Sequence, residues 1–216
     1  MEGLLRSGDR ICFLGDSITR ADPGYTRLLA ALLTAARPDL ALEFVFAGVG
    51  GNRVGDLLAR LDRDVLAHRP SWVTVSIGVN DIWHRRGRAG GTPDADFEAG
   101  FGELLERLAA GGARALVLTP TVIHEDAESE ENRQLQVLLD QQRRIAAARG
   151  LPLCDAHLAL RAAIEARRAA LPAEAWPVGP DGRTRFFTTD VVHLNPAGNA
   201  LLALHLLGLL GGAGRR

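Results

Sequence analysis

A serine hydroxyl attacks a carbonyl at neutral pH only when a base takes its proton and preorganised donors receive the oxyanion that forms. The stretch Gly15-Asp16-Ser17-Ile18-Thr19 sets such a hydroxyl directly behind a short apolar run. Far along the chain, Asp190-Val191-Val192-His193-Leu194-Asn195-Pro196 supplies an imidazole. An aspartate three residues before a histidine can hold one ring nitrogen so that the other faces the serine. Donors come from two further segments. Ala47-Gly48-Val49-Gly50-Gly51-Asn52-Arg53-Val54 offers amides that approach a ligand without side-chain obstruction, and Gly78-Val79-Asn80-Asp81 offers a carboxamide. Together these types serve acyl transfer. Ser17 would attack, His193 would act as base, and Asp190 would set the imidazole tautomer. The Ser17 amide, the Gly51 amide and the Asn80 side chain would form the oxyanion hole.

Taken singly, each segment has a plainer reading. A serine after a strand caps a helix, an asparagine makes a turn, and Asp-x-x-His ahead of a helix is a capping turn. Closely spaced glycines also serve nucleotides. Here, however, Gly50 is followed by Gly-Asn-Arg where a dinucleotide fingerprint needs another small residue, and no phosphate-loop Lys-Ser/Thr pair follows. Co-occurrence is what favours chemistry, since binding alone gives no reason for serine, donors and a His–Asp pair in one chain. Asp16 and Trp83 join the site as substrate-side residues, with bracing of the turn around Ser17 the stronger role for Asp16. His68, His84, His124, His157 and His205 lack a companion of the Asp190 kind and read as surface or packing residues. No pair of them has metal-ligand spacing, so no metal is expected.

The elements that must position these groups follow from the pattern. Segments 10–14, 42–47, 72–77, 115–118 and 152–154 are rich in β-branched or aromatic residues and run into Gly, Asp or Pro, which predicts five buried strands. Helical apolar spacing falls at 25–36, 55–67, 94–110, 132–149, 156–170 and 196–210. Strands alternating with helices imply a parallel, doubly wound sheet. If the first strand lies between the second and third, the loops bearing Ser17, Gly51 and Asn80 become neighbours at the carboxyl edge, where such sheets bind ligands. Segments 84–92 and 172–189 fit neither pattern and read as long loops at a site rim or on mobile surface.

Composition narrows the partners. The 216 residues are 47% hydrophobic, enough for one domain spanning 1–216 with its own core. A net charge of −1, from 25 basic and 26 acidic residues, gives no field to draw in nucleic acid or an anionic membrane. Cys12 and Cys154 sit in apolar runs and read as core thiols. The first ten residues lack the basic start and apolar stretch of a signal peptide, and no apolar run approaches the roughly 18 residues of a spanning helix. A soluble, cytoplasmic protein is expected.

In order and spacing, these four blocks resemble the SGNH (GDSL) hydrolase superfamily from Gly15 to Asn199. That resemblance implies a flavodoxin-like three-layer α/β/α fold with a five-stranded parallel sheet, a Ser17-His193-Asp190 triad, Gly51 and Asn80 as oxyanion donors, and no cofactor. The Gly-x-Ser-x-Gly elbow of the unrelated α/β-hydrolases is missing. Within the superfamily, Gly48 to Val54 together with Gly78-Val79-Asn80-Asp81-Ile82-Trp83 is similar to the intracellular acetylxylan-esterase branch, whose members deacetylate sugar oligomers. Gly50 departs from it, standing where that branch commonly has serine.

The leading expectation is therefore a deacetylase of short saccharides, with a small acetylated saccharide as partner. A short-chain carboxylesterase, thioesterase or lysophospholipase is the alternative, and a non-catalytic sugar-binding module the weaker one. Trp83, Trp176, Phe186 and Phe187 can stack on sugar, pack loops or meet a second subunit in a homo-oligomer. His84, Arg85, Arg86 and Arg88 form a charge run that can face an acidic sugar or simply solvent.

Overall fold

The computed structural model of the protein describes residues 4–87 and 90–210; Arg88 lies outside the described residues. Five strands form one parallel sheet: β1 (Arg10–Gly15), β2 (Glu43–Gly48), β3 (Trp72–Ser76), β4 (Arg114–Leu118) and β5 (Leu153–Cys154). Their spatial order is β2-β1-β3-β4-β5. β1 and β3, inside the sheet, are buried along almost their whole length, which is why they read as continuous apolar runs rather than alternating ones. The edge strand β2 keeps Glu43 exposed and several residues half-covered.

The helices are α1 (Ser17–Arg20), α2 (Tyr25–Ala36), α3 (Val54–Asp64), α4 (Val79–Trp83), α5 (Asp94–Ala110), α6 (Glu130–Ala148), α7 (Ala156–Ala170) and α8 (Pro196–Leu210). The chain steps from β1 outward to β2, then back across to β3. Right-handed crossovers therefore place α2 and α3 on opposite faces. α2, α7 and α8 pack together as one layer and α3, α5 and α6 as the other. The three-layer expectation holds.

Two differences bear on the site. α1 and α4 were not expected, because one turn of helix has no apolar period to detect. α3 also ends at Asp64, short of the expected 67, and the chain tightens into a 3-10 turn over Leu66–His68 with Arg69 left-handed at φ 48°. Cys12 and Cys154 are free and buried, and burial pushes both thiols up to about 12, so they stay protonated. No helix among the described residues is long and apolar enough to cross a membrane.

Candidate active site

The sheet register brings the loops together. Gly15 of β1 stands beside Gly48 of β2 and Ser76 of β3, so all three strands end abreast. α1 starts at once with Ser17, and the Asp16 carboxylate caps it by accepting the Ile18 amide at 2.9 Å. This tight start needs small residues beneath it. A Cβ on Gly15 would meet the Ser76 carbonyl oxygen at 2.6 Å, and one on Gly48 would meet Arg20 Cα at 2.7 Å. Asp16 is only 2% exposed and lies under the site rather than in it, so the geometry favours the brace over substrate contact. Burial, with Asp81 adding to it against the Ile18 hydrogen bond, pushes the Asp16 carboxyl up to about 7.

From the other end of the chain, residues 190–195 bring an imidazole to the same edge. Asp190 Oδ1 accepts the amides of Val192 at 2.9 Å and His193 at 2.8 Å. Its Oδ2 lies 2.8 Å from His193 Nδ1, and His193 Nε2 lies 2.9 Å from Ser17 Oγ. Burial works to raise the Asp190 carboxyl, but those amides and the imidazole outweigh it and hold the group below its ordinary value. Asn195 and Asn199 fasten the turn to α8 and α2: Asn195 Oδ1 accepts the Gly198 amide at 3.0 Å, and Asn199 Oδ1 accepts the Tyr25 amide at 2.8 Å.

The donors converge on the same edge. Among the described residues, neither the Ser17 nor the Gly51 amide has a protein acceptor. Gly51 holds a left-handed φ of 79° and faces open space. Asn80 donates one Nδ2 hydrogen to the Asn52 carbonyl at 3.0 Å, leaving its second N–H free for a ligand. Behind this loop stands Arg60, a buried arginine that sequence reasoning passed over as an ordinary helix residue. It donates to Asn52 Oδ1 at 2.7 Å, to the Gly15 carbonyl at 3.0 Å and to Asp64 at 3.2 Å, tying the loops after β1 and β2 together. Asp81 Oδ1 similarly accepts the Val54 amide at 3.2 Å, joining α4 to α3.

Sequence reasoning also missed Glu125, which is 2% exposed. It accepts the amides of Phe186 at 2.8 Å, Phe187 at 2.6 Å and Thr188 at 2.9 Å, and the Thr188 hydroxyl at 3.0 Å. The long loop ahead of Asp190 is thus folded around one carboxylate, a long-range contact with no local signature. Phe186 and Phe187 are buried by it, and Trp176 packs edge-on to Phe186 with centroids 6.0 Å apart. Those three aromatics pack the loop. Trp83, 36% exposed, is the one of the four that faces outward, onto a cleft of about 670 Å³ whose wall also includes Val191.

Serine, histidine and aspartate in one hydrogen-bonded row at the carboxyl edge of a parallel α/β/α sheet have the form of a serine hydrolase site. The chain belongs to the GDSL-like Lipase/Acylhydrolase family, whose profile matches residues 13–201, and it is a carboxylic ester hydrolase. An acetylxylan esterase of Geobacillus stearothermophilus is 41% identical over 93 residues, 37% of this chain and 42% of that relative. The crystal structure of an acetylxylan esterase from the same organism matches with a TM-score of 0.83 and 26% identity, over 98% of this chain and 99% of that one. An alpha/beta hydrolase enzyme from the metagenome of Lake Arreo, Spain, matches with a TM-score of 0.82 and 27% identity, over 98% and 99%. Catalytic mutants of the Geobacillus enzyme are altered at a serine and at an aspartate and a histidine three residues apart.

Proposed function

We propose that this protein removes acetyl groups from short saccharides by two-step acyl transfer. The observation that carries the reading is the row Asp190 Oδ2, His193, Ser17 Oγ, with contacts of 2.8 and 2.9 Å. His193 Nε2 takes the Ser17 proton as Oγ attacks the acetyl carbonyl, then returns it to the departing sugar hydroxyl. Water repeats the cycle on the acyl-enzyme. The Asp190 carboxylate, held ionised by its hydrogen bonds, keeps the proton on Nδ1 and stabilises the imidazolium that forms. The unengaged amides of Ser17 and Gly51, with the free Asn80 N–H, meet the oxyanion. The saccharide assignment draws on the Geobacillus relatives, one of which is an acetyl-xylooligosaccharide esterase, and on the aromatic, polar cleft beside the row.

A fluorophosphonate probe tests the nucleophile: peptide mapping should find the label on Ser17 alone, and Ser17→Ala should lose both labelling and esterase activity. Asn80→Ala should keep labelling but lower kcat by roughly two to three orders of magnitude, as loss of one oxyanion donor does. Full activity in Ser17→Ala would reject the mechanism. Turnover of aryl acetates without turnover of any acetylated xylo-oligosaccharide would reject the saccharide and favour the general short-chain esterase.

A further inference from the structure

The cleft bounded by Trp83 and Val191 shares its walls with the catalytic apparatus. Trp83 ends α4, which carries Asn80, and Val191 follows Asp190 directly. The His124 amide donates to the Val191 carbonyl at 2.7 Å, so the cleft floor and the triad loop are one piece of backbone. Its volume of about 670 Å³ lies within the range of small-ligand pockets. The mechanism uses nothing else in it.

The lining sets Arg86 and Arg183 against Glu131 and Asp181, but each carboxylate already has an arginine partner other than Arg183. Arg86 is paired with Glu131 at 2.6 Å, and Asp181 is paired with Arg185 at 2.7 Å. Arg183 also lines the cleft, and no carboxylate among the described residues lies within ion-pair distance of its guanidinium. Its partner is the ring of His124 instead. That ring is held neutral, since burial and then the Arg183 charge lower its proton affinity. A neutral imidazole has one acceptor nitrogen, whereas a guanidinium has five N–H donors, so most of the Arg183 donors are left for another group. His124 itself sits at φ 63°, a left-handed conformation uncommon in non-glycine residues. Its ring meets Trp83 edge-on, with centroids 6.0 Å apart.

We propose that this cleft binds a carboxylate on the saccharide part of the ester, a uronic-acid residue, with Arg183 as the main contact and Trp83 against the sugar face. The inference rests on the saccharide reading above and deepens it. A monoanion fits better than a phosphate because, among the described residues lining the cleft, Arg183 is the one arginine without a carboxylate partner, and Glu131 and Asp181 in the same wall repel a second negative charge. A guanidinium also meets a carboxylate with two parallel hydrogen bonds, which fixes orientation as well as charge.

Binding separates this inference from the reading beneath it. A glucuronic-acid-substituted xylo-oligosaccharide and its carboxyl-reduced counterpart are titrated calorimetrically into Ser17→Ala at low salt. The acidic ligand should bind at least about fivefold tighter, and added salt should shrink the difference. Adding Arg183→Gln should remove most of the preference, Arg183→Lys should retain part of it, and Arg183→Gln in the otherwise wild-type protein should hydrolyse p-nitrophenyl acetate normally. Equal binding of the two ligands, or a preference that survives Arg183→Gln, overturns the proposal. Esterase activity persisting in Ser17→Ala would reject the catalytic assignment instead, and the binding comparison, run then on the wild-type protein, would still decide the carboxylate site.

Discussion

Asp16 shows how one residue can serve the site while working against the fold. Its carboxylate caps α1 and so fixes Ser17, yet it is buried and its proton affinity is pushed up to about 7. In the unfolded chain the same carboxyl returns to its ordinary 3.8. Between those values the folded protein binds one more proton than the unfolded chain, so stability falls as pH rises through the window. The contribution is complete below the unfolded value and gone above the folded one. Asp16→Asn keeps an oxygen acceptor for the Ile18 amide but carries no charge. It should therefore match wild type in denaturant melts near pH 4 and gain on it up to pH 8, by at most about 4 kcal/mol. Stability curves running parallel across that range would mean that burial does not hold the proton on Asp16.

At the scale of elements, the Asp190–His193 pair sits on a loop that has almost no regular structure of its own. Residues 176–195 make two isolated bridges, Val178 with Thr184 and Thr188 with Leu194, a few backbone turns such as Arg185 to Pro177 and Asn195 to Phe187, and the Glu125 contacts that gather 186–188. Glu125→Gln replaces one acceptor oxygen by an NH2 group facing backbone amides. Hydrogen bonds to a charged acceptor contribute about 1.5–3 kcal/mol each, so the variant should lose stability on that order. Amide exchange should rise across 186–195 with a matching fall in kcat/KM; unchanged exchange there would show that the loop holds without Glu125. This dependence also marks the limit of sequence reading. β1, α2, α5, α7 and α8 were readable because apolar period and turn residues are local signals. Ser17, Gly51 and Asn80 were singled out from short motifs behind strands, and Asp190 and His193 from one just ahead of the last helix. Glu125 was not, because its partners lie 61–63 residues away along the chain, and Arg60 was not, because its link to the β1 loop spans 45.

For the molecule as a whole, the question is what size of acyl group the assembled surface admits. A chain of net charge −1 has no long-range field to select a substrate, so selection rests on the shape around Ser17. A long acyl chain needs a continuous apolar groove, and of the side chains that could have formed one all but Val49 and Trp83 are spent elsewhere. Val54 is 2% exposed, Phe186 7% and Phe187 9%, all in the core. Val49, just past β2, and Trp83, at the end of α4, stay exposed, and the other groups around the serine are polar. The Arg20 guanidinium stands over Gly50, 3.5 Å from where a Cβ there would be, and Asn80 is hydrogen-bonded to the Asn52 carbonyl on the neighbouring loop. A buried methylene contributes about 0.8 kcal/mol, so a true groove would favour octanoate over acetate by about 5 kcal/mol across six methylenes. Without a groove those methylenes stay in water or meet charged groups. Steady-state kinetics on p-nitrophenyl esters of graded length should give acetate at least about a tenfold higher kcat/KM than octanoate, the reverse of what burial would produce. A specificity constant that climbs beyond six carbons would reveal an apolar path opened by movement of the Trp83 or 176–189 segments, and would favour a lipase or thioesterase over a deacetylase.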